Sequence, residues 1–174
     1  MPLAVTHVIL TIVLVDLFRD YIMKNHKKYL TLHTLLVAGV AGLIPDIDMP
    51  IQMLMRLLGA NIPLLQHGGM FHTPLFGLVF LIPAIILWNK KKHKAATIFF
   101  VITFGILFHI FLDWLLGGGA HTGIMLLWPF TTMSFKVHLL LKLNLGDIPA
   151  SIDALILIAW LWHEEVKHKI RDFI

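Results

Sequence analysis

The chain has 174 residues, of which 58% are hydrophobic, and it carries a formal charge of +4 and no cysteine. A soluble domain is usually about 45–50% apolar, so this composition excludes an ordinary soluble protein and indicates an integral membrane protein. The absence of cysteine excludes disulfides and thiolate metal sites, which leaves histidines and carboxylates as candidate metal ligands. The length favours one unit over residues 1–174 rather than two domains.

Hydropathy predicts five membrane-spanning helices. In chain order they cover residues 3–18, 31–45, 73–88, 95–116 and 149–162. Thr73 and Pro74 are typical of an N-cap followed by proline at the first helical position, so they mark the start of the third helix. Residues 49–72 and 120–148 are interrupted by proline and glycine and are predicted to form interfacial or re-entrant segments. We therefore expect an all-α, polytopic helical bundle.

The basic residues are concentrated in three segments, at residues 19–28, 90–94 and 167–171. These segments hold eleven of the 14 Lys and Arg residues, and five crossings would place all three on one side of the membrane. The positive-inside rule makes that side cytoplasmic. Because the basic residues lie in short loops beside predicted spans, they indicate topology and disfavour nucleic-acid binding.

Ionisable residues of the apolar segments fall at the opposite, non-cytoplasmic end of the predicted bundle. His109 and Asp113 are four residues apart, so they share one face of the fourth helix. Ionisable residues inside a membrane helix are costly to bury and often mark a functional site. The predicted topology brings further histidines and aspartates to the same side, namely His7, Asp46, Asp48, His67, His72 and His121.

Each of these residues also has a simpler interpretation. His7 alone can be an interfacial histidine, and Asp46 and Asp48 can cap a turn. The two histidines before the third helix can belong to a polar loop, and the pair on the fourth helix can be a hydrogen-bonded packing pair. Their convergence at one depth is what favours a shared metal site.

Ordered motifs in the chain resemble the YdjM-like family of inner-membrane proteins, which are classed as membrane-bound metal-dependent hydrolases. The family pattern is an early His followed by LPDIDH, HRGxTHS, HxxxD and LLWP, and the resemblance covers residues 1–130. Here the motifs read LIPDID at residues 43–48, HGGMFHT at 67–73, HIFLD at 109–113 and LLWP at 126–129. The chain departs from the pattern at Met49, where histidine is common, and at Gly68, where arginine is usual. His121 is a candidate replacement ligand.

The order of His and Asp residues is also distantly similar to that of zinc-dependent phospholipases C. The resemblance implies metal-dependent hydrolysis of a phospholipid or another lipid phosphoester at the outer membrane interface. One or two divalent ions, most readily zinc, would take part, with membrane lipids as environment and substrate. The candidate catalytic residues are His67 and Asp48, with Asp48 as a base. The candidate metal ligands are His7, Asp46, Asp48, His72, His109, Asp113 and His121.

Two other functions stay open from the sequence. A metal-binding or metal-transporting membrane protein would use the same ligands, but transport requires polar positions that continue through the bilayer, and the third and fourth helices offer few. A structural or regulatory membrane protein with a degenerate site is the other alternative. The intact pairs His109/Asp113 and Asp46/Asp48 argue against it.

Overall fold

A computed structural model describes residues 4–23, 29–60, 62–116, 123–137, 139–143 and 150–168. Within these ranges the protein is helical, and the one β-bridge joins Ile124 to Phe135, so the predicted all-α class is confirmed. The α-helices are α1 Ala4–Leu17, α2 Leu32–Ala41, α3 Asp48–Leu57, α4 Pro74–Asn89, α5 His93–Leu116, α6 Leu139–Lys142 and α7 Ala150–His168. A π-helical turn, Phe18–Ile22, extends α1, and 3₁₀ turns lie at Pro45–Ile47, Pro63–Leu65 and Met70–His72.

Helix α5 is the centre of the fold, since α1, α2 and α4 all pack against it. Small residues allow the close approach of α2 and α5: a Cβ atom added to Gly105 would lie 2.8 Å from the Cβ of Ala41 and 3.0 Å from the carbonyl oxygen of Ala38. Small residues at an interface let helix backbones meet in a membrane, where the hydrophobic effect does not drive helices together. The run of small residues at 38–42 in the sequence predicts such close packing, and the contacts of Gly105 with Ala38 and Ala41 confirm it.

Only part of the predicted membrane topology is found in the described residues. Helix α5 is long and apolar enough to cross a membrane by itself, and α2 qualifies only together with Pro45–Leu57, at a bend of 47°. The predicted straight second span is thereby corrected to a bent pair, because α2 has 10 residues and a span needs about 20. Helix α4 has 16 residues and is about 24 Å long, short of a hydrocarbon core of about 30 Å. Five crossings are not confirmed.

An ion-pair network, which we call the helix clamp, joins the end of α1 to α7. The guanidinium of Arg19 lies 2.5 Å from Asp16 Oδ1, 3.1 Å from Asp20 Oδ1 and 3.4 Å from Glu164 Oε1. All three carboxylates are buried. Burying a carboxylate is costly unless it is paired, and the guanidinium of Arg19 pairs with all three. Asp16 and Arg19 are three residues apart, a spacing that predicts their pairing on one helix face, and the structure confirms the pair.

Two histidines of α7 also contact the helix clamp. His168 Nε2 lies 2.7 Å from Asp20 Oδ2, and His163 Nδ1 lies 3.8 Å from Asp16 Oδ2. Their position in a basic segment of the sequence indicated solvated side chains, and that interpretation is wrong for both. The charge of a segment does not reveal which of its side chains reach across to a distant helix.

Four side chains of the helix clamp lie close enough together to hold a metal ion, namely Asp16, Asp20, His163 and Glu164. The guanidinium of Arg19 already forms ion pairs with all three carboxylates of this cluster. A second cation in the same place would repel it. We therefore interpret the helix clamp as a structural network.

Replacing Arg19 by Met is expected to lower the free energy of unfolding by about 3–5 kcal/mol, because it leaves buried carboxylates without their cation. Thermal unfolding in detergent, followed by circular dichroism, measures the effect. Arg56→Met on α3 is the matched control, because that side chain is exposed, and it should change stability by about 0.5 kcal/mol or less. Equal losses in the two variants would contradict the role of Arg19.

Candidate metal centre

The His/Asp cluster is assembled from three separate segments around α5. His109 and Asp113 lie one turn apart on α5 and are buried. Asp46 lies in the 3₁₀ turn Pro45–Ile47 that follows α2. His72 ends another 3₁₀ turn, directly before α4. The helix thus supplies two side chains at fixed spacing, and two tight turns bring the others to the same end of the bundle.

The loop that carries His67 and His72 is fixed by two local features. Thr73 caps α4, as its sequence predicts, because its Oγ1 accepts a hydrogen bond from Phe76 N at 3.2 Å. Gly68 has a φ of +83°, and a Cβ atom there would lie 2.6 Å from the carbonyl oxygen of Gly123. The arginine that is usual at this position in the resembled motif would therefore strain the loop.

Four ligand atoms, one each from Asp46, His72, His109 and Asp113, lie within 4.8 Å of one another. Three of them form a tight triangle. Asp113 Oδ2 lies 3.3 Å from His72 Nε2 and 3.2 Å from His109 Nε2, and the two nitrogens are 3.3 Å apart. Asp46 Oδ1 is more distant, at 3.8 Å from His72 Nε2 and 3.5 Å from His109 Nε2.

The triangle has the dimensions of one face of a tetrahedral metal site. Metal–ligand bonds of about 2.0–2.1 Å at tetrahedral angles separate neighbouring ligand atoms by about 3.3 Å. Both oxygens of Asp113 are buried and accept no hydrogen bond. A buried carboxylate in that state is costly, and ligation of a cation removes the cost. Imidazole and carboxylate donors without sulfur suit a divalent ion such as zinc.

Contacts behind the rings orient the two histidines of the triangle. His109 Nδ1 donates a hydrogen bond to the carbonyl oxygen of Gly42 at 2.6 Å, so Nε2 of the neutral ring carries a lone pair. His72 Nδ1 lies 3.0 Å from Asp48 Oδ2, the carboxylate–histidine arrangement found behind many metal ligands. With the rings held in this way, the Nε2 lone pairs of His72 and His109 face each other, and a positive charge has to lie between them.

A proton on His72 is one source of that charge. Burial acts to lower the pKa of His72, but its contacts with Asp113, Asp46 and Asp48 outweigh burial and raise the pKa well above its ordinary value. A metal ion between the nitrogens is the other source. The triangle therefore holds a positive charge in either case, carried by a proton or by a metal ion.

His7 completes the cluster on the side of α1. Its ring stacks on that of His109 with the centroids 3.9 Å apart, and its Nε2 lies 3.3 Å from Asp113 Oδ1. His7 thus contacts the oxygen of Asp113 that lies outside the triangle. From this place His7 can support Asp113 from beside the triangle. It can also be a ligand of a metal ion that lies on the side of Asp113 Oδ1.

Asp48 links the two histidines of the loop. Its Oδ1 accepts a hydrogen bond from His67 Nδ1 at 3.1 Å, while its Oδ2 faces His72. Asp48, His67 and His72 form a second group that could hold a metal ion. Both groups include His72, and a neutral imidazole has one lone pair, so the two groups are alternatives as long as His72 is a neutral ring.

The structure thus brings together seven of the eight histidines and aspartates that the sequence predicted at this end. The eighth, His121, lies outside the described residues, as does His138. His33 is exposed on α2. Sequence reasoning did not identify the carbonyl oxygen of Gly42 as the partner of His109. No feature of the sequence around Gly42 indicates this contact.

The fold and the cluster define a class of protein: a helical protein with at least one helix able to cross a membrane and a buried His/Asp cluster able to hold a metal ion. The YdjM inner membrane protein family matches residues 1–168, and the chain belongs to that family. This match confirms the resemblance of the motifs and identifies the chain as an inner membrane protein. No curated protein and no solved structure matches the chain.

The purified protein is expected to bind one zinc ion per chain, and His109→Ala and Asp113→Ala should each remove most of it. Both variants break the triangle of ligand atoms. Metal content after equilibration with zinc and removal of excess is measured by plasma mass spectrometry. His33→Ala is the matched histidine control and should keep the full content. Zinc-free wild-type protein, or an equal loss in His33→Ala, would contradict the site.

Asp48→Asn is expected to weaken zinc binding about 10–100-fold while keeping one ion per chain at saturation, because Asp48 lies behind His72 and orients its ring. Competition with a chelating dye measures the affinity. Unchanged affinity would exclude the orienting role. Loss of binding even at saturating zinc would instead identify Asp48 as a direct ligand.

Proposed function

We propose that the protein is a membrane-bound, metal-dependent hydrolase that cleaves a phosphoester of a membrane lipid. The observation that carries this proposal is the asymmetry of the cluster, which has three tight ligand atoms and a looser fourth. Structural zinc sites are closed by four protein ligands, whereas catalytic sites keep one position for water or substrate. A triangle with a loose fourth partner favours the catalytic type.

Asp46 is the most accessible member of the cluster. Its side chain is 23% exposed, whereas those of His72, His109 and Asp113 are 1% exposed or less. The fourth position of the site therefore opens toward Asp46. A divalent ion held by the triangle would supply Lewis-acid chemistry at this position. Asp46 can complete its ligand set or leave room for a substrate oxygen.

His67 and Asp48 form a pair suited to proton transfer beside this opening. Asp48 accepts a hydrogen bond from His67 Nδ1 and orients the ring, as the aspartate does in a catalytic His–Asp pair. In hydrolysis a bond forms between a water oxygen and phosphorus, and the bond to the leaving alcohol breaks. We assign His67 as the group that takes the proton of the attacking water and passes it to the leaving oxygen, and Asp48 as the residue that positions His67.

A lipid substrate is favoured by the surroundings of the opening. Helix α3 begins at Asp48 and exposes large apolar side chains, including Met49, Met53 and Leu57. An amphipathic helix of this kind lies in a membrane interface with its apolar face toward the acyl chains. A phosphoester in the head group of a lipid would then lie at the level of Asp46 and Asp48.

Metal transport through the bundle is less favoured. A transport path needs polar groups that are available to a cation through the bilayer. Buried threonines do lie between the two ends, but Thr11, Thr97 and Thr103 each donate to a carbonyl oxygen of their own helix. These hydroxyl groups bond within their own helices, and among the described residues no hydrogen bond links one of them to another.

The zinc-loaded protein in mixed micelles of detergent and phospholipid is expected to release a phosphorylated head group or a free alcohol. Phosphorus NMR detects either product. His67→Ala should lower the rate about 10²–10⁴-fold while keeping the bound zinc, because it removes only the proton acceptor. His109→Ala should abolish both activity and zinc binding.

His33→Ala serves again as the control and should retain wild-type activity. Zinc bound at the cluster without turnover of phosphatidylglycerol, phosphatidylethanolamine or phosphatidylcholine would argue against a lipid phosphoesterase. Activity that survives in His67→Ala would remove the assigned proton acceptor but leave the metal site intact.

A further inference from the structure

A large apolar groove lies outside the His/Asp cluster. Its volume is about 1140 Å³, and it is lined by the second half of α1, the turn Phe18–Ile22, the end of α4 and the first half of α5. Along α5 the groove extends from Thr97 to Phe104, which lies nine residues before Asp113, about 13.5 Å along the helix. No residue of the cluster is among the described residues that line the groove. The groove and the cluster are therefore separate sites.

The groove is suited to hydrocarbon chains. Apart from Thr97, its lining side chains are aliphatic, aromatic or methionine. Several of them are exposed, including Phe18 at 44%, Ile22 at 69% and Trp88 at 44%. Ligand pockets usually have volumes of about 300–1,000 Å³, so this groove is large enough for a long-chain ligand. Acyl chains bound in the groove would cover these exposed side chains.

A basic rim adjoins the groove. Tyr29 lines both the groove and a neighbouring cavity of about 470 Å³, whose walls include Lys91, Lys92 and Lys94. Among the residues that the structure describes, no aspartate or glutamate lines either cavity. A head group with a positive charge would find no carboxylate partner here. A phosphate in a head group that carries no positive charge of its own could contact these three lysines.

We propose that the groove binds one anionic phospholipid, with its acyl chains along the groove and its phosphate beside Lys92 and Lys94. Charge complementarity at the rim selects the head group, and the apolar walls select the chains. The lipid would be a resident ligand, because its phosphate lies far from the proposed metal centre. This proposal is independent of hydrolysis at that centre.

Trp88 makes the proposal measurable, because it lies in the wall of the groove. Brominated acyl chains quench tryptophan fluorescence on contact. The protein in non-ionic detergent is titrated with brominated phosphatidylglycerol and, separately, with brominated phosphatidylcholine, and the Trp88→Phe variant identifies the share of Trp88. We expect saturable quenching by phosphatidylglycerol at about tenfold lower concentration than by phosphatidylcholine.

Lys92→Glu is expected to weaken binding of phosphatidylglycerol at least about tenfold, because it reverses a charge beside the phosphate. Lys90→Glu is the matched control: it makes the same change in the same loop, but Lys90 lines neither cavity. It should change the affinity less than about threefold. Circular dichroism checks that both variants fold.

Three results would overturn the proposal. Quenching that rises without saturation would indicate only partition of lipid into the micelle. Equal affinity for the two lipids would show an apolar groove without head-group selection. Equal weakening by Lys92→Glu and Lys90→Glu would show attraction to the net charge of the loop rather than binding at the rim.

Discussion

The approach of two imidazole nitrogens to 3.3 Å beside a buried carboxylate is the constraint on which this end of the molecule depends. The rings are held from behind, His109 by the carbonyl oxygen of Gly42 and His72 by Asp48. Such an arrangement is stable only with a positive charge among the ligand atoms. Because its members come from the segments after α2, before α4 and on α5, the same cation would also hold these segments together.

Buried carboxylates lie near both ends of α1, and the groups that compensate their charge differ between the two ends. At the helix clamp, buried carboxylates surround Arg19, whose charge is permanent. At the His/Asp cluster, no Lys or Arg lies among the described contacts of the carboxylates, and only histidines face them. A covalently fixed cation makes a structural network. The His/Asp cluster has no such fixed cation among the described residues, so its positive charge comes from a protonated histidine or from a bound cation.

The sequence predicted what local spacing controls. The i, i+4 interval placed His109 and Asp113 on one face of α5, and the Thr73–Pro74 pair correctly marked the start of α4. Contacts between distant segments could not be predicted in this way. Nothing near Gly42 indicates that its carbonyl oxygen receives a hydrogen bond from a residue 67 positions away. The basic character of the tail likewise concealed the contact of His168 with α1, because charge patterns describe segments and not their partners.

The number of membrane spans could also not be predicted from the sequence, and the reason is geometric. Hydropathy measures whether a segment is apolar, but a span also needs length along one axis. Helix α2 is apolar, yet it ends after 10 residues and continues only through a bend of 47°. That bend, however, is what places Asp46 and Asp48 beside the end of α5. A straight span would have carried both carboxylates onward along its own axis. The bend that prevents a simple count of spans from hydropathy thus also brings Asp46 and Asp48 to the His/Asp cluster.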